Sequence, residues 1–526
     1  MVATVYSAGV FGLEPYIVEL QADILDGKAG VDIVGLPDAA VSESRQRVIA
    51  ALKNAGFALP PKHVIINLAP ADIRKEGAMY DLPMLTAFLI SMGRLRESEL
   101  ALNVSRCVFI GELSLSGQVR RVNGVLPMVI KAAQSGFETI FVPAENALEA
   151  AVVEGINIYP VADVAEMLSI LRGGSDAQPV ANVGRLFMDD ADDGLDFSQV
   201  SGLFAAKRAL EIAAAGCHNV LMIGPPGTGK SMLAMRIPSI LPKMTFEEAV
   251  ETTAVYSVAG QLNEDNRLIT VRPFRAPHHT ISQAGLTGGS SIPRPGEISL
   301  ANNGVLFLDE LAEYDRRTLD VLRQPLESGH ITIGRASGTA TYPCKIMLVC
   351  ATNPCPCGYY GSKGGKCTCA PGVPEKYISR ISGPLLDRID IHVDVPAVDF
   401  ETLRSKRKEE SSAEIRERVE RARAVQAKRF EGTGITCNAR MDSRTMDAAC
   451  RLTPGAEKLL REMFDRTHMS ARAYNRVLKV ARTCADMTTD DPFSELTEEH
   501  IAEAVALHTR EMKYWTPSDK GTGMVR

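Results

Sequence analysis

The segment Gly224, Pro225, Pro226, Gly227, Thr228, Gly229, Lys230 and Ser231 restricts what this chain can fold into more than any other feature. It fits the pattern GxxxxGK[ST], and it sits between an apolar run, NVLMI, and a helix-compatible stretch, MLAMRI. A strand, a tight glycine turn and a helix are therefore predicted in that order. The glycines let backbone N–H groups turn inward around the β- and γ-phosphates of a nucleotide, and the following helix N-terminus favours anions. Lys230 would neutralise phosphate charge and Ser231 would ligate magnesium. A chance glycine turn would explain the eight residues but not their flanks.

Two further apolar runs end in polar groups suited to the same chemistry. About 80 residues after the glycine loop, GVLFLDE from Gly304 to Glu310 reads as a buried strand that delivers two adjacent carboxylates at its end. Asp309 would hold magnesium, and Glu310 would orient and polarise an attacking water. The run from Ile346 to Thr352 ends at Asn353, an amide placed to position that water, although an Asn before Pro354 is otherwise a turn former. Hydrolysis also needs positive charge on the γ-phosphate, commonly an arginine from a neighbouring subunit. Arg388 in GPLLDRIDIHVDV is the first choice and Arg380 the competing one. In SARAYNRV, Arg472 and Arg476 lie four residues apart on one helix face. Arg472 is preferred for reaching the nucleotide from a lid, the alternative being a solvated face.

At 526 residues the chain is long enough for several domains. Its 45% hydrophobic and 23% charged residues suit a folded globular protein and argue against a disordered chain. No basic region precedes an apolar stretch at the N-terminus, and no 18 uncharged apolar residues run together, so a cytoplasmic protein without membrane spans is expected. The net charge of −6 gives no global attraction for nucleic acid, which leaves DNA binding to local basic surfaces. Residues 1–172 alternate short apolar runs with helical stretches such as Ser42 to Gly56 and Asp81 to Gly93, which predicts an α/β domain. Residues 173–196, rich in Gly, Pro and acidic groups, read as a linker. Residues 197–398 form the nucleotide-binding α/β unit. Residues 399–513 turn charged and helical, with stretches at Thr402 to Phe430, Gly455 to Asp465, Ala471 to Met487 and Thr497 to Lys513, and predict a helical lid. Residues 514–526 read as a frayed tail.

Eleven cysteines, several inside apolar runs, suit reduced thiols rather than a disulfide framework. Four of them, Cys355, Cys357, Cys367 and Cys369, form two CxC pairs separated by nine residues within a glycine-rich loop, 353–371. Four thiolates there suit a closed structural zinc site. Two-residue spacers are the commoner zinc pattern, and free thiols in a surface loop are the alternative.

The order of these elements, with RPFRAPHHTISQAGLTGGSSIPRPGEISLANN ahead of GVLFLDE and with SRISGPLLDRIDIHV behind it, resembles the magnesium-chelatase-like AAA+ family, specifically its ComM/YifB branch. The resemblance covers nearly the whole chain. It implies a P-loop AAA+ core with a helical lid, ATP and Mg2+ as cofactors, and a homohexameric ring. It also implies two pore-facing insertions, one within the second helix of the core and one a β-hairpin before the Asn353 strand. HITIGRA and TATYP, alternating stretches separated by Ser337 and Gly338, independently suggest that hairpin. Arg335, His278 and His279 would be candidate DNA contacts; for the histidines, loop hydrogen bonding and a metal remain open. Residues 1–172 resemble the proteolytic domain of Lon, with its ribosomal-S5-like α/β fold. Where Lon-type hydrolysis needs serine and lysine this chain has Met79, Leu126 and Met128, none able to do that chemistry. The resemblance implies an ATP-driven DNA motor for branch migration in homologous recombination and natural transformation. The competing expectation is a magnesium-chelatase-type ATPase subunit that remodels a partner protein.

Overall fold

Two larger sheets organise the described residues, one built partly from strands with alternating burial and one whose central strands are buried on both faces. The computed structural model describes residues 2–174, 177–182, 194–262, 268–289, 293–335, 338–361, 367–404, 408–467 and 469–509. The acidic part of the 173–196 segment, Ser337, the middle of the 353–371 loop and the 514–526 tail lie outside the described residues.

Among the described residues, the N-terminal region carries a seven-stranded sheet. Its order is Gly30–Val34, His63–Ala69, Glu14–Leu25, Ala3–Phe11, Cys107–Phe109, Thr139–Pro143 and Asn157–Val161. Glu14–Leu25 runs antiparallel to both neighbours, and the strands from Ala3–Phe11 to Asn157–Val161 are mutually parallel. Helices Ala39–Asn54 and Asp81–Ser91 cover one face through Val48, Leu52, Leu85 and Phe88, and helix Val125–Gln134 covers the other through Val125, Met128 and Val129. The first of these helices starts where Asp38 accepts a hydrogen bond from Val41 N–H, satisfying one of its free donors.

The second sheet is five-stranded and wholly parallel, in the order Phe274–Arg275, Val305–Leu308, Met347–Thr352, Val220–Ile223 and Ile391–Asp394. Alternate residues feed two separate cores. Val220, Met222, Phe307 and Val349 pack toward helix Phe204–Gly216 and the C-terminal helices, whereas Leu221, Ile223, Leu306 and Leu348 pack toward Leu385, Ile389 and the hairpin residues Ile331, Ile333 and Tyr342. This is an α/β fold of the P-loop class. Because every strand points the same way, all their carboxyl ends open onto one edge, the usual place for a ligand in such sheets.

The C-terminal helices include Ser412–Arg429, Pro454–Thr467, Ala471–Asp486 and Glu498–Thr509. The charged stretch from Thr402 to Phe430, expected as a single helical unit, is divided. One short helix spans Phe400–Arg404, and a new one begins after Ser411, whose side chain accepts from Glu414 N–H while Glu414 accepts from Ser411 N–H. That reciprocal cap starts the second helix independently of the first.

The N-terminal region docks on the unit that holds the five-stranded sheet. Gly124 N–H donates to Ser257 O at 3.1 Å, and Glu149 accepts from the Ser257 hydroxyl on helix Phe246–Ala259. Phe11 and Leu13, flanking the first β-turn, pack into the cluster that holds Ile331, Ile333 and Ala340. Gly12 is required between them, since at φ +64 a side chain there would place its Cβ 2.7 Å from that of Ala340.

Candidate active site

The strand Val220–Ile223 is fully buried and delivers Gly224 against the neighbouring chain, where a Cβ would lie 2.1 Å from Val395 O. Gly227 and Gly229 take positive φ, 74° and 91°, which opens the loop before helix Lys230–Arg236. Lys230 is 8% exposed, and its ammonium donates to Gly224 O at 2.7 Å, Pro225 O at 2.8 Å and Asn353 Oδ1 at 3.2 Å. Burial pushes this lysine down to about 8, against the opposing pull of Asp309 and Glu310.

The contact to Asn353 follows from sheet order. Val220–Ile223 pairs with Met347–Thr352 in a register that sets Ile223 beside Thr352, so Gly224 and Asn353 emerge side by side. One strand further, Leu308 pairs with Cys350 and brings Asp309 to the same edge. Ser231 Oγ donates to Asp309 Oδ2 at 2.6 Å. Two oxygen donors so close suit a hard divalent cation, so Ser231 and Asp309 fit magnesium, which would polarise phosphate oxygens when bound. Asp309 Oδ1 also accepts from Glu310 N–H, and Glu310 stands at φ 50°, turning its carboxylate out of the strand.

Glu310 meets His279, which the sequence left open between DNA contact, loop hydrogen bonding and a metal. Its Oε2 lies 3.3 Å from His279 Nδ1, and the His279 ring packs against His278 at 4.1 Å between centroids, tilted by 33°. The parallel pairing of Phe274–Arg275 with Val305 and Leu306 sends both chains off the same edge of the sheet, and the segments that follow bring His279 to Glu310. His278 stays exposed and pairs with Thr280, whereas His279 is half-buried toward the carboxylate rather than pointing to solvent. Among the described residues the histidines join no cluster of metal-ligating groups.

The arginines separate clearly. Arg388 is held by Glu327, Pro384 O and Arg323 O, and Arg380 pairs with Glu313 at 3.2 Å while 56% exposed. Arg472 is 63% exposed, 3.7 Å from Asp387. Arg476, one turn on, is turned inward onto Asp390 at 3.4 Å. Burial opposes the Asp390 carboxylate, but His218, Arg476 and Asn219 N–H together hold it below its usual range. Arg476 thus ties helix Ala471–Asp486 to the sheet.

The first core insertion emerges beside this site and is joined to the second. Short helices Gln283–Thr287 and Glu297–Leu300 flank a two-stranded ladder that pairs Gly288 with Pro295, and His330–Arg335 pairs with Gly338–Pro343 as a hairpin. Tyr342 OH donates to Pro293 O at 2.7 Å, joining the two insertions. On the hairpin, Ile331, Ile333, Ala340 and Tyr342 face inward, while His330, Thr332, Arg335 and Thr341 are exposed. Arg294 from the first insertion also lines a cavity of about 260 Å³ shared with Glu76, Met79, Glu112, Arg121 and Asn123 of the N-terminal region. Leu126 and Met128 are fully buried.

The four loop cysteines converge. Cys355 Sγ lies 3.3 Å from Cys357 Sγ and 3.8 Å from Cys367 Sγ, and Cys357 and Cys367 are 3.5 Å apart. All four sulfurs, including that of Cys369, fall within 4.8 Å of one another. Backbone N–H groups of Tyr359 and Thr368 draw the Cys357 thiol down to about 5.

Three magnesium-chelatase family models match in succession: subunit ChlI of Mg-chelatase over residues 20–146, magnesium chelatase subunit ChlI over 196–403, and its C-terminal part over 409–508. The Competence protein ComM of Haemophilus influenzae is 40% identical over 510 residues, covering 96% of each chain. The chain belongs to the ComM/YifB family of magnesium-chelatase-like AAA+ proteins. The uncharacterized protein YifB of Escherichia coli is 39% identical over 507 residues, covering 95% of this chain and 96% of its own. The magnesium-chelatase 38 kDa subunit of Rhodobacter capsulatus is more distant, at 28% identity over 177 residues, 30% of this chain and 50% of that subunit. As a ComM-like AAA+ protein the chain is an ATPase that works with ATP and Mg2+, in a family that assembles as oligomers. Among the described residues no helix is long and apolar enough to cross a membrane.

Proposed function

We propose that this ComM/YifB family member forms a homohexameric ring that couples ATP hydrolysis to movement on DNA. It drives branch migration of joint molecules in homologous recombination and during uptake of transforming DNA in the cytoplasm. The observation that carries this reading is the pair of insertions joined through Tyr342 and Pro293, the first leaving the sheet beside His279 and Glu310 and the second leading into the strand that ends at Asn353, with Arg294 and Arg335 exposed. End-to-end similarity to a competence protein supports it.

In this reading Gly224 to Ser231 cradle the triphosphate, Ser231 and Asp309 hold magnesium, Glu310 activates water and Asn353 positions it. Arg388 of one subunit completes the site of the next, and Arg472 reaches the nucleotide from the lid. Residues 197–398 are the motor and 399–513 its lid. Residues 1–172 serve as a docking body rather than a peptidase, since Met79 stands where a nucleophile would be needed. Cys355, Cys357, Cys367 and Cys369 hold one structural zinc.

ATP turnover measured across single-stranded, duplex, forked and four-way DNA tests the reading, with stimulation by forked or four-way DNA expected. Glu310→Gln should keep DNA binding and lose hydrolysis. The three chelatase model matches favour a second reading, a motor that remodels a protein partner. Stimulation by such a partner, with none by any DNA, would replace the first reading with the second.

A further inference from the structure

We propose that the zinc held by the four loop cysteines is a brace for the phosphate loop, so that ATP affinity depends on the metal. This rests on the zinc reading above. The Sγ separations of 3.3, 3.5 and 3.8 Å approach the edge of about 3.8 Å that a tetrahedron of sulfurs around zinc at about 2.3 Å requires. They are far longer than a disulfide bond of about 2.0 Å. The thiols lose their protons as the metal binds, and no oxidant is needed.

The position of the cluster links it to the nucleotide. Cys355 follows Asn353 by two residues and is fully buried, while Asn353 accepts from Lys230. Gly358, between the two CxC pairs, sits at φ +85 directly on Pro226 in the middle of the phosphate loop. A Cβ on Gly358 would lie 2.5 Å from Pro226 Cδ and 3.1 Å from its Cγ. Among the described residues from 354 to 372, only Pro354, Cys355 and Gly358 are buried, too little apolar surface to fix the segment by packing. Cys367 and Cys369 enter from the other side, on the segment that returns to helix Val373–Ile378. A metal joining the four sulfurs ties Cys367 and Cys369 to Cys355 and Cys357, which flank the Gly358 contact with Pro226, and holds Asn353 at Lys230.

Linkage makes the effect reciprocal: if zinc tightens ATP binding, ATP must tighten zinc binding by the same factor. The experiment uses the full chain with zinc, after removal of zinc by a chelator and after zinc is restored. Zinc content, folding by circular dichroism and affinity for a fluorescent non-hydrolysable ATP analogue are read on each. About one zinc per chain is expected, with an affinity that falls about tenfold or more on removal and returns on restoration, and with slower zinc loss in the presence of the analogue. Gly358→Ala should keep its zinc yet weaken the analogue, because the added carbon displaces Pro226. Zinc that leaves without changing affinity overturns the brace and leaves the zinc site standing. A folded chain that binds no zinc overturns both, and unchanged affinity in Gly358→Ala rules out the contact to Pro226 as the route.

Discussion

His279 Nδ1 and Glu310 Oε2 lie 3.3 Å apart, so the carboxylate proposed to activate water is engaged by a residue at the root of the first insertion. Helix Gln283–Thr287 starts four residues after His279, and the ladder of Gly288 with Pro295 follows it. A force on that insertion is therefore transmitted to Glu310 through very little chain. Glu310 is 53% exposed, so the contact is screened and worth about 1 kcal/mol, roughly a fivefold bias in side-chain position. His279→Ala should raise ATP turnover without DNA by about that factor and reduce the further stimulation by forked DNA. Steady-state ATPase assays with and without DNA check this; lower turnover under both conditions would make His279 a support for catalysis instead of a restraint.

Lys230 gives the nucleotide site a pH dependence. Burial holds its ammonium at about 8 in the nucleotide-free protein, below the ordinary lysine value. Phosphates favour the charged form, so binding above pH 8 must take up a proton. Below pH 8 the affinity of Glu310→Gln for a non-hydrolysable ATP analogue should be flat with respect to this group. Above it, affinity should weaken about tenfold per pH unit until the bound-state value is reached. A Glu310→Gln, Lys230→Arg double variant, charged throughout, should lose that slope. Equilibrium titrations from pH 7 to 9.5 read it, and a flat profile would mean that Lys230 stays charged without nucleotide.

The readable parts of this molecule were the local ones. The phosphate-binding role proposed for Gly224 to Ser231 rests on consecutive backbone groups, so it is written in one segment, and the apolar runs ending in Asp309 and Asn353 announce strands by composition alone. What brings Asn353 within 3.2 Å of Lys230 is the order of strands in the sheet, which periodicity does not encode. His279 escaped for the same reason: the strand that aligns it with Glu310 is two residues long, Phe274–Arg275, too short to show an alternating pattern. The break before Ser411 was legible as S-x-x-E, but the surrounding run of Arg and Glu hid it. The inward turn of Arg476 needed Asp390, 86 residues away, to be brought opposite it.

Arg388 tests whether the ATP site is shared between subunits. Its side chain is 13% exposed and pairs with Glu327 of its own chain. Arg388→Ala should lower kcat by about a thousandfold while the ATP analogue binds within about threefold of the parent. Mixing Arg388→Ala chains with Lys230→Ala chains should recover turnover, because intact Lys230 on one chain then meets intact Arg388 on its neighbour. Arg380→Ala is the comparison. If it, and not Arg388→Ala, shows the loss and the recovery on mixing, Arg380 is the shared arginine.

The lid carries its own electrostatic keystone. The side chains of Arg429 and Arg482 are fully buried, and both donate to Asp486, Arg429 Nη1 at 2.8 Å and Arg482 Nε at 3.0 Å. Asn438 adds a further bond to Asp486 at 2.8 Å. One carboxylate thus accepts from two guanidinium groups away from water and offsets part of their charge, and deleting it leaves both charges uncompensated. Asp486→Ala should destabilise the lid by about 3 to 5 kcal/mol. Because the Arg429 helix packs on helix Phe204–Gly216, the loss should reach the nucleotide unit through Gln426, whose amide donates to Ala215 O at 3.0 Å. Urea unfolding followed by circular dichroism should show an earlier transition, and saturating ATP analogue should recover part of it by mass action. A change under about 1 kcal/mol would mean that water reaches the two arginines once the carboxylate is gone.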